Sequence, residues 1–289
     1  MATLKDIAQR AGVTATTVSR VINNRGYISE GTRKKVYAAM EEMHYQPNEL
    51  ARAFSKQYTN TIGLIVPHIS HPFFIKVISN LESSAAEKGF KLLLCNSKEQ
   101  PEKEQDYLDM CISNRVAGIV LCSKYVQTRE FRKMNIPVVN LERGGDDDTI
   151  SVQCDNYQGG KLAAEHLILH FGGVAGKDMP ADRRADGFSD VCKKAGIPYR
   201  ILVSDRLQYG SMHYEDFIRR APQEFPDVDG IFASSDLIAA QLLQVCHNLN
   251  IDVPSQMKIV GFDDVNIASL TTPPITTIHQ PIKEMAKMA

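Results

Sequence analysis

The chain has 289 residues, 43% of them apolar and 23% charged, with 33 Lys+Arg against 34 Asp+Glu. That length predicts two or three domains of ordinary soluble composition. It holds no apolar run near the roughly 20 residues of a membrane span, and Met1–Asp6 lacks the apolar core of a secretion signal. Six singly scattered cysteines leave no Cys-x-x-Cys pair for a zinc ribbon or a thioredoxin-type motif, and they read as free thiols in a reducing cytoplasm. The balanced total hides an asymmetry. Residues 1–60 carry nine Lys+Arg against five Asp+Glu, and the rest carries 24 against 29, a small basic head on an acidic body.

The first 45 residues predict three short helices. Thr3 caps the first, with Asp6 in the capping-box position, and Leu4, Ile7, Ala8 and Ala11 share a face. Gly12 stands at the turn, where positive φ is tolerated. Thr14 caps a second helix burying Val18, Val21 and Ile22, and Ser29 caps a third with Val36, Met40 and Met43 inward. Pro47 ends it. Residues 48–58 are a polar linker that reads as a marginal helix.

From Thr61 the pattern becomes strand–helix alternation. Apolar runs at Thr61–Pro67, Lys91–Cys95, Gly118–Cys122, Pro137–Leu141, Arg200–Val203, Gly230–Ala233 and Lys258–Gly261 predict strands. Between them the spacing predicts helices over 73–88, 101–114, 127–134, 156–170, 183–195, 211–221 and 235–248. Such alternation indicates an α/β body of βαβ units with parallel sheets, in two lobes. Helix 156–170 is followed by Phe171–Lys177 and a further helix after Pro180, so the sequence reads as one strand short there, because a right-handed crossover needs a strand on each side.

In the head, Ala8 allows a close helix crossing, Gly12 makes the turn, and the second helix presents Ala15, Thr16, Thr17, Ser19, Arg20 and Asn23 outward. A short polar set of this kind suits phosphates and base edges. Thr3-Leu-Lys-Asp-Ile-Ala-Gln-Arg-Ala-Gly-Val-Thr-Ala-Thr-Thr-Val-Ser-Arg-Val-Ile-Asn23, Tyr45-Gln-Pro-Asn48 and Ala51-Arg52 resemble the lactose/galactose-repressor family of bacterial regulators. The resemblance continues through His71–Phe74, Val138–Arg143, Asp155-Asn156, Arg184–Phe188, Ser235-Asp236, Gly261–Asp264 and Thr276–Pro281, motifs shared with periplasmic sugar-binding proteins.

The resemblance implies a helix-turn-helix domain over 1–46 and a hinge over 47–60. It also implies a periplasmic-binding-protein-like effector domain, with one lobe from 61–154 plus 277–289 and the other from 155–276. It implies base reading by Ala15, Thr16 and Arg20, and phosphate contacts from Thr3, Thr14, Thr17, Ser19, Asn23, Tyr27, Thr32 and Tyr45. Asn48, Ala51, Phe54 and Ser55 would lie in a hinge helix that enters the minor groove, with Phe54 where the family usually places a wedging leucine. Phe73, Phe74, Arg143, Arg184, Asp236, Asp263 and Gln280 would line an effector cleft, the phenylalanines stacking on a sugar ring and the charged groups binding hydroxyls. Asp236 and Arg143 fit a strand-end cap or a surface salt bridge equally well, whereas Asp263 follows a strand end at a crevice position. His71 stands where sugar-binding relatives often have asparagine. Expected partners are pseudo-palindromic operator DNA, a sugar or sugar phosphate effector and a second copy of the chain.

Other motifs fail. Gly172–Asp178 lacks the P-loop spacing and its Ser/Thr, and His166 and His170, one helical turn apart, have no third metal ligand in view. With no nucleophile elbow or dinucleotide fingerprint, no catalytic residue, metal or cofactor is expected, and Asp146–Asp148 reads as a solvated loop. A repressor of a carbohydrate-use operon released by its effector is the expected function. A regulator strengthened by a co-repressor, a sugar-binding module without regulation, and an α/β enzyme are its rivals. Family members continue past the position of Ala289 with another helix and a final strand, so the chain reads as short.

Overall fold

Ser and Thr caps start the helices of the head, and a small apolar core holds them together. The computed structural model describes residues 2–45, 58–123, 125, 136–143, 149–164, 169–172, 179–204 and 206–289 and divides the chain into two units, Met1–Thr59 and Asn60–Ala289. In the first unit α1 (Leu4–Ala11), α2 (Ala15–Ile22) and α3 (Glu30–Glu42) bury Ile7, Ala8, Ala11, Val18, Val21, Val36 and Ala39. Ile22, Met40 and Met43 are only half-buried at the rim of this core, and Leu4 is exposed. The expected hinge residues 47–57, with Asn48, Ala51, Phe54 and Ser55, lie outside the described residues. So do helix 127–134, His166 and Asp146–Asp148.

The second unit holds two parallel sheets. The first joins β1 (Thr61–Val66), β2 (Lys91–Asn96), β3 (Gly118–Leu121), β4 (Val138–Leu141) and β5 (Ile150–Val152) in the order β2-β1-β3-β4-β5. Helices α4 (Pro72–Glu87) and α5 (Pro101–Ser113) connect its first strands. The second joins β6 (Leu169–Gly172), β7 (Ile201–Val203), β8 (Gly230–Ala233), β9 (Lys258–Asp263) and β10 (Thr276–His279) in the order β10-β9-β8-β6-β7. Read from β7, this is the same doubly wound order as in the first sheet. Helices α6 (Asn156–Ala164), α7 (Arg183–Ala195), α8 (Arg206–Ser211), α9 (Glu215–Glu224), α10 (Asp236–Asn248) and α11 (Asn266–Leu270) belong to this lobe. Finally α12 (Ile282–Met288) returns to the first lobe, where Ile282, Met285 and Ala286 join Phe73, Phe74, Leu81 and Val120 in one core.

Five expectations are corrected. The strand read as missing near 171–177 exists as β6, which begins earlier and sits between β7 and β8. The expected helix 156–170 ends at Ala164, and its last residues supply that strand; a short apolar run such as Leu167–Phe171 carries no period that separates helix from strand. His170 therefore lies in β6, not one helical turn from His166. The expected helix 211–221 is two helices, α8 and α9, broken at Met212, whose φ is +58°. Residues 277–279 belong to the second lobe, because β10 pairs with β9; the chain crosses back only at Gln280 and Pro281.

Candidate functional site

In the head, the Thr14 hydroxyl accepts the Thr17 N–H at 3.2 Å, and the Thr3–Asp6 capping box is complete. Gly12 adopts φ +66° and donates its N–H back to α1, turning the chain into α2. With Val18 and Val21 buried, α2 presents Thr16 and Arg20, one turn apart, on its exposed face. Ala15 is half-buried against the core, and Thr17 and Ser19 flank it, half-buried. Several expected phosphate contacts also serve the fold. Thr3 and Thr14 are caps, Thr32 shares the Ser29 cap, the Asn23 amide donates to the Ser19 carbonyl at 2.9 Å, and Tyr45 packs on the core. Tyr27 stands free of the fold at 97% exposure. A feature the sequence did not disclose is the two-pronged Arg10–Glu42 pair, at 2.8 and 2.7 Å, which ties the end of α1 to the end of α3 across 32 positions.

Between the two lobes lies a cleft of about 130 Å³, at the carboxyl ends of both sheets. Open α/β sheets bind ligands at this edge, where the strand order reverses. Pro67 and His71 follow β1, Cys122 and Ser123 follow β3, and Glu142 follows β4. Ser234 and Ser235 follow β8, Asp263 ends β9 and Gln280 follows β10. Phe73 and Phe74, packed edge to face at the start of α4, form an apolar wall.

Arg184, near the start of α7, organises the polar side. Its Nε donates to Asn156 Oδ1 at 2.7 Å and its Nη1 to the Ser234 carbonyl at 2.5 Å. The guanidinium lies 3.6 Å above the Phe262 ring centre, with Asp263 at 3.8 Å and Glu142 at 4.0 Å. This placement depends on close contact between α6 and α7. A Cβ on Gly160 would stand 2.0 Å from the Arg184 carbonyl oxygen, and one on Gly187 2.0 Å from that of Tyr157. The carboxylates are held in turn. Glu142 accepts the Cys154 N–H at 2.5 Å and the Asn156 amide at 3.0 Å, and Asp263 accepts the Gln280 amide at 2.6 Å. Glu142 and Asp263 both have positive φ, at +47° and +112°, a strained backbone of the kind found at ligand sites.

Burial sets the charge states. It raises the Asp263 carboxyl to about 7, with Asp236 adding to the rise and Arg184 and the Gln280 hydrogen bond opposing it. Burial lowers the His71 imidazole to about 4, helped by His68 and Arg184, so His71 is neutral at pH 7. It also pushes the Cys122 thiol and the Tyr209 phenol up, leaving both uncharged.

Five of the seven expected cleft residues, Phe73, Phe74, Arg184, Asp263 and Gln280, line this space; Arg143 and Asp236 are not among its lining residues. Arg143 bonds Asn140 at 3.2 Å, and its neighbour Glu142 faces the cleft. Asp236, raised to about 6 by burial, accepts the Val265 N–H and the Thr277 hydroxyl, clamping α10 to β9 and β10, while Ser235 faces the cleft. Gly261 leaves room for that clamp, since a Cβ there would meet Asp236 Oδ1 at 2.3 Å. In both places the residue that lines the cleft is the sequence neighbour of the expected one. Glu99, Asp182, Tyr209 and Tyr214 also line the cleft and come from loops and helix starts that no motif flagged. Among the described residues, no three His, Cys, Asp or Glu side chains are grouped to hold a metal.

Comparison with known proteins agrees with both halves. Residues 3–48 match the bacterial regulatory proteins of the lacI family, and residues 164–289 match the periplasmic binding protein-like domain. The ribose operon repressor of Halalkalibacterium halodurans is 33% identical over 296 residues, covering 100% of this chain and 88% of its own. The sucrose operon repressor of Streptococcus mutans is 37% identical over 295 residues, covering 100% and 90%. A periplasmic binding protein/LacI transcriptional regulator from Alkaliphilus metalliredigens, solved with D-xylulofuranose, is 31% identical over 80% of this chain and 88% of that one, with TM-score 0.70. The lac repressor dimer bound to operator shares the fold at TM-score 0.81 over 99% and 90% of the two chains, at 21% identity. With relatives above 30% identity along its whole length and the helix-turn-helix model matched at its head, the chain belongs to the lacI family of bacterial regulatory proteins.

Proposed function

We propose that the chain represses a carbohydrate-use operon and is released from its operator when a small sugar-like molecule fills the cleft. The observation that carries this reading is the pairing, in one chain, of a helix-turn-helix exposing Thr16 and Arg20 with a two-lobed cleft of Phe73, Phe74, Arg184, Asp263 and Gln280. The ribose and sucrose operon repressors among its relatives support it. In this reading Ala15, Thr16 and Arg20 read base edges, and Thr3, Thr14, Thr17, Ser19, Asn23, Tyr27, Thr32 and Tyr45 set register on phosphates. Asn48, Ala51, Phe54 and Ser55 act as the hinge on DNA. Two copies read a pseudo-palindrome, as a two-fold dimer requires, and the work takes place where the chromosome lies, in the bacterial cytoplasm. The chain acts as a binder rather than an enzyme, a reading supported by the operon repressors among its relatives.

Fluorescence anisotropy on labelled DNA from the chain's own promoter region tests this. Tight binding that weakens when a sugar is added supports it; loss of Thr16 and Arg20 together, without any change in DNA binding, overturns the operator reading. Tightening on addition of the ligand would instead assign the co-repressor sign, and the same titration reads both.

A further inference from the structure

We propose that the effector cleft takes an uncharged polyhydroxylated molecule and rejects its phosphate esters. The inference rests on the reading of this cleft as the effector site and narrows the ligand class that site accepts.

The charge inventory comes first. Glu99, Glu142, Asp182 and Asp263 line the cleft, and among the described lining residues Arg184 is the one cation, His71 being neutral at pH 7. An ester carrying close to two negative charges would enter a space already dominated by carboxylates.

The donors that grip phosphate elsewhere are in part given to the fold. A bidentate arginine fork is the usual grip. Here Nε is given to Asn156 and Nη1 to the Ser234 carbonyl, one face is covered by Phe262, and the remaining edge turns toward Glu142. Arg184 thus positions cleft groups and offsets their charge, and an anion reaching its Nη2 edge would meet the Glu142 carboxylate 4.0 Å away.

Helix N-termini are the other common phosphate seat. Those of α4, α7 and α10 reach this cleft, and each carries an internal acceptor or a carboxylate, the latter at α7 being Asp182. At α4 the first residue is Pro72, which has no N–H, and the next N–H, from Phe73, is donated to His71 Nδ1 at 3.3 Å. At α10 Ser235 Oγ accepts the Ile238 N–H at 3.3 Å, and the first residue is Asp236, whose carboxylate would repel an anion.

The same inventory suits hydroxyl groups. Carboxylate oxygens of Glu142 and Asp263, the Gln280 amide and the Ser123, Ser234 and Ser235 hydroxyls accept from or donate to neutral O–H groups, while Phe73 and Phe74 offer an apolar wall to a ring face.

The test uses the full chain and matched probes in isothermal titration calorimetry: ribose with ribose 5-phosphate, fructose with fructose 6-phosphate, glucose with glucose 6-phosphate, sucrose with sucrose 6-phosphate, and inorganic phosphate alone. The expected result is that at least one free sugar binds, its ester binds at least tenfold more weakly, and inorganic phosphate does not compete. Glu99→Gln, which removes one cleft carboxylate, narrows the gap between that sugar and its ester. An ester that binds as tightly as its parent, or a gap that Glu99→Gln leaves unmoved, overturns the proposal while the effector reading stands. No binding by any probe overturns it too, and if operator DNA is also indifferent to every probe the effector reading falls with it.

Discussion

Asp263 shows how much one residue can carry. Burial raises its carboxyl from 3.8 to about 7, so the unfolded chain releases this proton at lower pH than the folded one does. Its contribution to stability is therefore fully present below about pH 4 and is lost as pH rises through about 7. Asp263→Asn, which keeps an oxygen for the Gln280 amide, should remove that decline; urea midpoints measured from pH 4 to 7.5 should fall less with pH in the variant, the difference amounting to a few kcal/mol. His71 acts in the opposite sense. Its imidazole is lowered from 6.5 to about 4, and the stability it gives is lost as pH falls through that range. In the head, Arg20→Ala should cost roughly 1–3 kcal/mol of specific operator binding, about 5- to 150-fold, and much less on random DNA; equal losses on both would make Arg20 a phosphate contact. Legibility at this scale was uneven. Thr3, Thr14 and Ser29 were readable as caps because a cap is a local bond between residues three apart. Glu142 and Ser235 were not, because which of two neighbours at a strand end faces a cleft depends on backbone torsion, such as the +47° φ of Glu142, and not on residue type.

At the level of elements, the contact of α6 with α7 deserves a direct test, since it sets where Arg184 stands. Gly160→Ala puts a methyl 2.0 Å from the Arg184 carbonyl oxygen, and Gly187→Ala does the same at Tyr157. Each should destabilise by roughly 1–3 kcal/mol, seen as a lower midpoint in thermal unfolding, and should weaken cleft ligands by shifting the α7 backbone. An unchanged midpoint would mean that the two helices part without cost. Helices α1 to α3, α4, α5, α7 and α10 and most strands were legible because they carry caps, prolines or apolar runs of the right length. Strand β6 was hidden because its residues continue the apolar pattern of α6. Strand β10 was hidden because its alternating Thr and Ile, with a histidine, gain meaning only once β9 is beside them.

For the whole molecule, the uneven charge makes a measurable claim. The surplus of four basic residues in the first 60, against an acidic remainder, places the DNA-seeking charge at one end. Operator affinity should fall linearly on a log–log plot against salt, with a slope set by the number of phosphates neutralised, while affinity for a neutral sugar should be flat across the same range. Anisotropy and calorimetry at 50–300 mM KCl separate the two, and a salt-independent operator constant would sink the electrostatic account.

The crossings between lobes have a mechanical consequence. Chain passes from one sheet to the other after β5 and again after β10, and the two passages touch, the Cys154 thiol meeting Gln280 Oε1 at 3.2 Å. Two linked straps should act as an axle, with opening and closing of the jaws easier than twisting between them. Gln280 is part of that axle and also holds Asp263 in the mouth of the jaws. Under the proposed function, a guest that engages this pair would push at the pivot itself, where a small local rearrangement is amplified toward the far rim of each lobe.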